Sequence, residues 1–224
     1  MIVVHHLENS RSQRIVWLLE ELELDYEIKR YDRDTQTSLA PPELLAVHPL
    51  GKSPVISDGG KVIAESGAIV EYLLETYDQG KLLPDRSSPD YQRYKYWLHF
   101  AEGTFMPYMV FSLVVGRIET APMPFFVKPI ARGIARKVRD AFLTPNISRN
   151  LDFMEQALTD DAWFAGGGIS GADIMMIFPV EAAAVRASLE PQYGRLADYL
   201  RRVHARPAYQ RALERGGPYA LLGG

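Results

Sequence analysis

Apolar and polar positions change period several times in the first part of the chain. Ile2 to Leu7 is a short, β-branched apolar run, and after the polar Glu8-Asn9-Ser10 the apolar residues Ile15, Leu18, Leu19 and Leu22 recur at helical spacing. Tyr26-Glu27-Ile28-Lys29-Arg30-Tyr31 alternates as a half-buried strand does, so the opening predicts β-α-β with a right-handed crossover and parallel strands. A polar loop over residues 32–42 follows. Pro41-Pro42-Glu43-Leu44-Leu45 predicts a short helix that His48-Pro49-Leu50-Gly51 closes with turn chemistry. Pro54-Val55-Ile56-Ser57 and Lys61-Val62-Ile63-Ala64 flank Asp58-Gly59-Gly60, the signal of an antiparallel hairpin. Glu65-Ser66 then opens a helix whose apolar face carries Ile69, Tyr72, Leu73 and Tyr77, with Ser66 in a capping position.

The order β-α-β-α-β-β-α over residues 1–79 predicts a small mixed sheet with helices on its faces, a thioredoxin-like plan sized for one domain. Residues 80–90, around Lys81-Leu82-Leu83-Pro84, are rich in Pro, Ser and Asp and read as a linker. Beyond it the strand signal disappears. Helical patterns run from Tyr91 to about Arg117 and from Phe126 to about Leu158, the second bent near Pro145, so residues 91–224 predict an all-α domain. Ser170-Gly171-Ala172-Asp173 has the form of a helix-start box, with Ile169 as its staple, ahead of the apolar run Ile174 to Val180. That box fixes folding and carries no chemistry. The fold class is α+β, with a helical bundle second.

Bulk properties narrow the partners. A chain of 224 residues that is 47% hydrophobic can bury one large core or two modest ones. A net charge of −3 offers no electrostatic footprint for nucleic acid or anionic lipid. The longest apolar stretch, residues 105–116, is too short to span a bilayer and contains Pro107, so a buried helix is expected and no membrane segment. Met1-Ile2-Val3-Val4 reads as strand rather than as a basic leader, so a cytoplasmic location is expected. There is no cysteine, which removes every mechanism in which the protein supplies its own sulfur nucleophile. Any thiol chemistry must use the substrate's sulfur.

Two short segments carry the candidate chemistry. In Gly51-Lys52-Ser53-Pro54-Val55-Ile56 a proline begins a strand directly after a turn, where a cis peptide would turn the backbone N–H and C=O of Ser53 toward a ligand and a trans peptide would be an ordinary turn. Glu65-Ser66 joins a carboxylate, a hydroxyl and the free N–H groups of a helix start, a set suited to an amino-acid zwitterion and also to simple capping.

Together, His48-Pro49-Leu50-Gly51-Lys52-Ser53-Pro54 and Ala64-Glu65-Ser66-Gly67-Ala68-Ile69, set in a β-α-β-α-β-β-α unit, resemble the glutathione site of the glutathione transferases. The resemblance continues through the linker, the helical domain and the box at Ser170 to Asp173. The first helix, Ser10-Arg11-Ser12-Gln13-Arg14-Ile15, is most similar to the bacterial and fungal branch. The resemblance implies that Ser53, Pro54, Glu65 and Ser66 hold glutathione and that Lys52 approaches its glycine carboxylate, where a solvated turn lysine is the alternative. It implies glutathione as co-substrate with no cofactor or metal, a small hydrophobic electrophile as second substrate, and a homodimer. Ser10 falls where the serine-type branch has its activating hydroxyl, with Asn9, Arg11 and Ser12 as neighbouring donors that could take the role. Arg14 is expected to make structural hydrogen bonds, and Glu102 to reach a partner subunit's glutathione.

The activity implied is conjugation of glutathione to an electrophile. A glutathione-dependent disulfide or peroxide reductase on the same scaffold and a non-catalytic binding module are the alternatives. Among other residues, His5 and His6 are adjacent on a strand and point to opposite faces, which rules out joint chelation of one metal. His99 and Glu102 share a helix face without a third ligand. Lys128, Arg132, Arg136 and Arg139 make a basic stripe that reads as a solvated face.

Overall fold

In the computed structural model, which describes residues 1–187, 189 and 191–222, the expected order is realised. β1 (Ile2–Leu7), α1 (Ser12–Glu21), β2 (Tyr26–Tyr31), α2 (Pro42–Val47), β3 (Val55–Asp58), β4 (Lys61–Ala64) and α3 (Ser66–Tyr77) form a four-stranded sheet in the order β2-β1-β3-β4 with helices on both faces. β1 and β2 are parallel, while β3 is antiparallel to both β1 and β4. Alternation along β1 sorts its residues: Ile2 and Val4 join the main core with α1 and α3, and Leu7 packs with Tyr31 and Leu44 on the α2 side. The stretch Ile15 to Leu19 of α1 is buried on every side because the sheet covers one face and two helices of the second domain, Gly171–Ala187 and Pro207–Gly216, cover the others.

Ser66 does not cap α3 as expected. Glu65 is the flanking residue, at φ 73°, and its side chain makes no capping bond. Ser66 is the first helical residue and its hydroxyl is taken by Arg14.

The second domain is helical. α4 (Pro89–Phe100) continues through a π-helical turn, Ala101–Phe105, into α5 (Met106–Thr120). α6 (Lys128–Val138) likewise continues through a π turn, Arg139–Leu143, into α7 (Thr144–Ala157), and α8 (Gly171–Ala187), α9 (Gly194–His204) and α10 (Pro207–Gly216) complete it. Each π turn ends two residues before a proline, Pro107 or Pro145. Proline lacks the N–H that would bond four residues back and its ring displaces that carbonyl, so a locally wider turn absorbs the misfit. The rod Pro89–Thr120 has the length and apolar composition of a bilayer span. Its Trp97, Leu98, Phe105 and Met109 are buried in the domain core, where α4, α5 and the intervening turn all contact α8.

The box at the start of α8 forms as expected. The Asp173 carboxylate accepts from Ser170 N at 2.9 Å and Ser170 Oγ at 3.1 Å, and also from Phe164 N at 3.1 Å. Burial nevertheless pushes the Asp173 pKa up to about 6 against these bonds. One apolar core runs from the sheet through α1 and α3 to α4 and α8. At the crossing, a Cβ added to Gly171 would lie 2.5 Å from Leu74 Cδ1, and Gly171 N donates to Leu82 O at 3.0 Å. The segment around Leu82 is thereby tied to the start of α8, where α3 also packs.

Candidate functional site

Lys52, Ser53, Pro54, Glu65 and Ser66 line one polar cleft of about 210 Å³, together with Arg11, His48, Leu50, Ala64 and Glu102. The sequence brings them together because the turn after α2 and the step from β4 into α3 end at the same edge of the sheet. Gly51, at φ 55°, makes the turn that delivers Lys52 and Ser53. The Ser53–Pro54 peptide is cis. Ser53 Oγ donates to His5 O at 2.9 Å and accepts from Leu7 N at 3.3 Å, while among the described residues no protein group takes the Ser53 N–H or C=O. Glu65 holds a positive φ that is uncommon for a residue with a side chain and costs roughly 1–3 kcal/mol. Its exposed carboxylate makes no ion pair among the described residues. A strained residue presenting a free carboxylate into a cleft is a feature of sites rather than of caps.

Beneath this cleft lies a seam that short-range sequence reading missed. Arg14 is 1% exposed and donates to Met175 O at 2.8 Å, to Ser66 Oγ at 2.8 Å and to the Glu102 carboxylate. Arg11 Nε lies 3.1 Å from the same carboxylate. Burial lowers the Arg14 pKa and the Glu102 charge opposes that shift. Glu102, placed by the sequence reading toward a partner subunit, thus faces the cleft of its own chain and joins α1 of the first domain to the π turn of the second. The one available signal was the spacing of Arg11 and Arg14, which puts two cations on neighbouring positions of one helical face in need of an anion.

Ser10 lies beside the cleft and lines an adjoining cavity of about 410 Å³ that shares Arg11, Leu50, Lys52 and Ser53 with it. Its hydroxyl is 2.7 Å from Ser12 Oγ and donates to Ser53 Oγ at 3.4 Å, and Ser12 N donates to it at 3.3 Å. Ser12 Oγ lies 2.9 Å from His6 Nδ1, so Ser10, Ser12 and His6 form one buried hydrogen-bonded chain. Burial, aided by Arg30, lowers the His6 pKa to about 4, so the ring is neutral at neutral pH. Asn9 turns its Oδ1 to Ala220 N at 2.8 Å, Arg11 is paired with Glu102, and Ser12 is fully buried.

His5 and His6 point to opposite faces as expected, His5 bonding Tyr31 and Ser57 at 2.9 Å each. No cluster of three potential metal ligands occurs among the described residues. Lys128, Arg132 and Arg136 are exposed, and Arg139 forms a bidentate pair with Glu119 at 2.7 Å.

Comparison with known proteins agrees with this architecture. The family described as "Glutathione S-transferase, N-terminal domain" matches residues 1–75, and "Glutathione S-transferase, C-terminal domain" matches residues 135–202. Glutathione S-transferase 3 of Schizosaccharomyces pombe is 37% identical over 96% of this chain and 88% of its own length. Glutathione S-transferase 1 of Saccharomyces cerevisiae is 32% identical over 96% of this chain and 95% of its own. Among solved structures, a glutathione S-transferase of Actinobacillus pleuropneumoniae superposes with a TM-score of 0.79 at 32% identity, covering 100% of this chain and 97% of that one. A glutathione transferase of Phanerochaete chrysosporium in complex with oxidized glutathione shares the fold at a TM-score of 0.74 and 22% identity, over 96% of both chains. With two relatives above 30% identity over nearly the whole chain, and a cleft built as the sequence motifs imply, the chain belongs to the glutathione S-transferase family.

Proposed function

We propose that this chain conjugates glutathione to an apolar electrophile, with Ser10 as the residue that activates the thiol. Glutathione is the co-substrate and no cofactor is called for. In this reading the free N–H and C=O of Ser53 pair with the backbone of the tripeptide, next to Pro54. The Glu65 carboxylate takes the γ-glutamyl ammonium, the N-terminus of α3 at Ser66 takes the adjoining carboxylate, and Lys52 takes the glycine carboxylate. The observation that carries the proposal is that Ser10 lines the adjoining cavity and its hydroxyl donates at 3.4 Å to Ser53 Oγ, a residue common to both compartments, which puts a hydroxyl beside their junction.

A free thiol titrates near 8.5. A hydrogen bond to a charged group contributes roughly 1.5–3 kcal/mol, equivalent to about one to two pKa units. The Ser10 hydrogen must leave a neutral bond, to Ser12 or Ser53, to reach the sulfur, and a thiolate outcompetes a neutral hydroxyl as acceptor. That exchange reduces the net gain, and a modest shift is the useful one because deeper lowering erodes nucleophilicity. The N–H groups at the start of α1 add a positive field from the same side. The thiol proton leaves to solvent, the thiolate attacks the electrophilic carbon, a C–S bond forms, and the leaving group departs with the bonding pair. Proximity supplies the remainder.

The test is Ser10→Ala. Glutathione affinity stays nearly unchanged while turnover on an aryl halide falls about tenfold or more, since one pKa unit corresponds to about 1.36 kcal/mol. Unchanged turnover would move the role to Asn9, Arg11 or Ser12. Activity on mixed disulfides exceeding that on aryl halides would replace conjugation with reduction by bound glutathione.

A further inference from the structure

Beyond Ser10 the cavity opens into a second lobe of about 490 Å³, and the two lobes share Asn9, Arg33, Ser38, Leu113, Phe178 and Arg186. Their lining is unusual in its charge. Among the described residues no Asp or Glu lines either lobe, although the whole chain carries a net charge of −3. Arg11 and Lys52, at the edge shared with the glutathione cleft, are accounted for by Glu102 and by the tripeptide. Arg33, Arg117 and Arg186 are not accounted for in this way.

None of these three arginines makes an ion pair among the described residues. Arg33 spends its guanidinium on two carbonyls, Glu8 O at 3.2 Å and Ser38 O at 2.9 Å, and Arg186 donates to Met109 O at 2.9 Å. Burial lowers the Arg33 pKa, with Glu8 opposing and the nearby charges of Arg117 and Arg11 lowering it further. The Glu8 carboxylate receives the backbone N–H of Arg33 at 2.9 Å and is absent from the lining of both lobes. Like charges held together at the wall of a partly enclosed space favour an anion there. The remaining wall mixes the neutral polar Asn9 and Ser38 with apolar groups, Leu113 and Phe178 in both lobes and Leu221 in the outer one.

We infer that the second substrate is an amphipathic anion, an apolar or aromatic electrophile carrying a carboxylate or sulfonate that Arg33, Arg117 and Arg186 read while its reacting carbon faces Ser10. This deepens the conjugation reading and rests on it. The reaction is the one stated above, and for an aryl chloride the C–Cl bond breaks and chloride carries off the electron pair. Arginine suits the task because its planar fork binds carboxylate in two-point fashion and lies against aromatic faces.

The test compares chlorodinitrobenzoate with chlorodinitrobenzene, each kcat/KM divided by the rate with free glutathione in solution. We expect the anion to be preferred about tenfold, mainly through KM, with the preference reduced by salt. Arg33→Gln and Arg117→Gln each lower the ratio about threefold or more, Arg117→Lys keeps most of it, and Arg117→Glu inverts it. A ratio of one or below, or a ratio that none of these substitutions moves, overturns the inference. So does the mixed disulfide of glutathione and cysteine reacting faster than either aryl chloride with the same arginine dependence, the thiolate forming oxidised glutathione and releasing cysteine thiolate, since its body is polar. If neither aryl chloride turns over, calorimetry on the glutathione-loaded protein compares dinitrobenzoate with dinitrobenzamide. Binding of the anion that weakens in Arg117→Gln upholds the anion site and discards conjugation, whereas equal binding of both discards the anion site.

Discussion

The two neighbouring compartments are built on opposite principles. In the glutathione cleft both signs of charge are present: Arg11 and Arg14 are compensated by Glu102, and Glu65 stands free beside Lys52. The adjoining cavity, between the sheet domain and α5 and α8, has a lining of apolar and neutral polar groups in which, among the described residues, the only charges are cationic. Under the proposed function, the difference follows from what each compartment recognises. A tripeptide with one ammonium and two carboxylates, constant in structure, calls for a balanced set of partners held on strained and buried backbone. A second substrate whose body varies calls for adaptable apolar walls and at most one fixed electrostatic cue.

The largest expected effect comes from breaking the seam under the cleft. Arg14→Leu leaves Glu102 with Arg11 alone and strands Ser66 Oγ and Met175 O, and should cost about 3 kcal/mol, the lower end for a broken buried pair because Glu102 is a third exposed and keeps one cation. Urea unfolding measures it. A loss below about 1 kcal/mol, the size of an ordinary surface pair, would mean that the balanced charge is incidental to the cleft.

The acid dependence of stability sharpens the account of the Ser10 chain. The folded pKa of His6, about 4 against 6.5, is depressed, so its contribution is retained above pH 6.5 and lost as pH falls toward 4, on the order of 3 kcal/mol. The folded pKa of Asp173, about 6 against 3.8, is raised, so it gives stability that grows as pH falls over nearly the same window. The two oppose each other. His5, also lowered by burial, acts in the same direction as His6. His6→Asn should therefore make stability fall less between pH 6.5 and 4 than in the parent chain, by chemical denaturation at several pH values. An unaltered profile would show that His6 is not held neutral in the fold.

A smaller effect separates recognition from activation. Glu65→Gln keeps the shape of the side chain and removes its charge, so glutathione affinity should fall roughly tenfold to a hundredfold, the equivalent of about 1.5–3 kcal/mol. The thiol pKa of what still binds should not move. Intact affinity in calorimetry would show that the Glu65 charge does not hold the ammonium.

How much of this was legible in the sequence depended on range. The strands and the first helices were legible because period two gives way to period 3.6 between turn residues, and because each signal lies within a few positions. Lys52, Ser53, Glu65 and Ser66 were legible for the same reason, each motif being a short segment at a sheet edge. Ser66 was assigned a cap's role because a hydroxyl at a helix start is usually one, yet Arg14, 52 residues away, claims it. The pairing of Arg14 with Glu102 spans 88 residues and exists only once α1 docks on the helical domain. The same holds for Glu181, a buried carboxylate that accepts from Tyr219 at 2.7 Å, from Tyr209, and bonds His204 at 2.9 Å, tying α8 to α9, α10 and the C-terminal turn. Such long-range polar contacts leave no periodic trace, whereas apolar faces do.

The thiol pKa of bound glutathione bears most directly on the central claim, that Ser10 beside the junction of the two compartments activates the sulfur. Thiolate absorbance in an ultraviolet difference titration across pH reads it without any choice of second substrate. The account predicts a bound-thiol pKa about one to two units below the free value near 8.5, returning toward that value in Ser10→Ala. Glutathione that binds with an unshifted thiol pKa would contradict it.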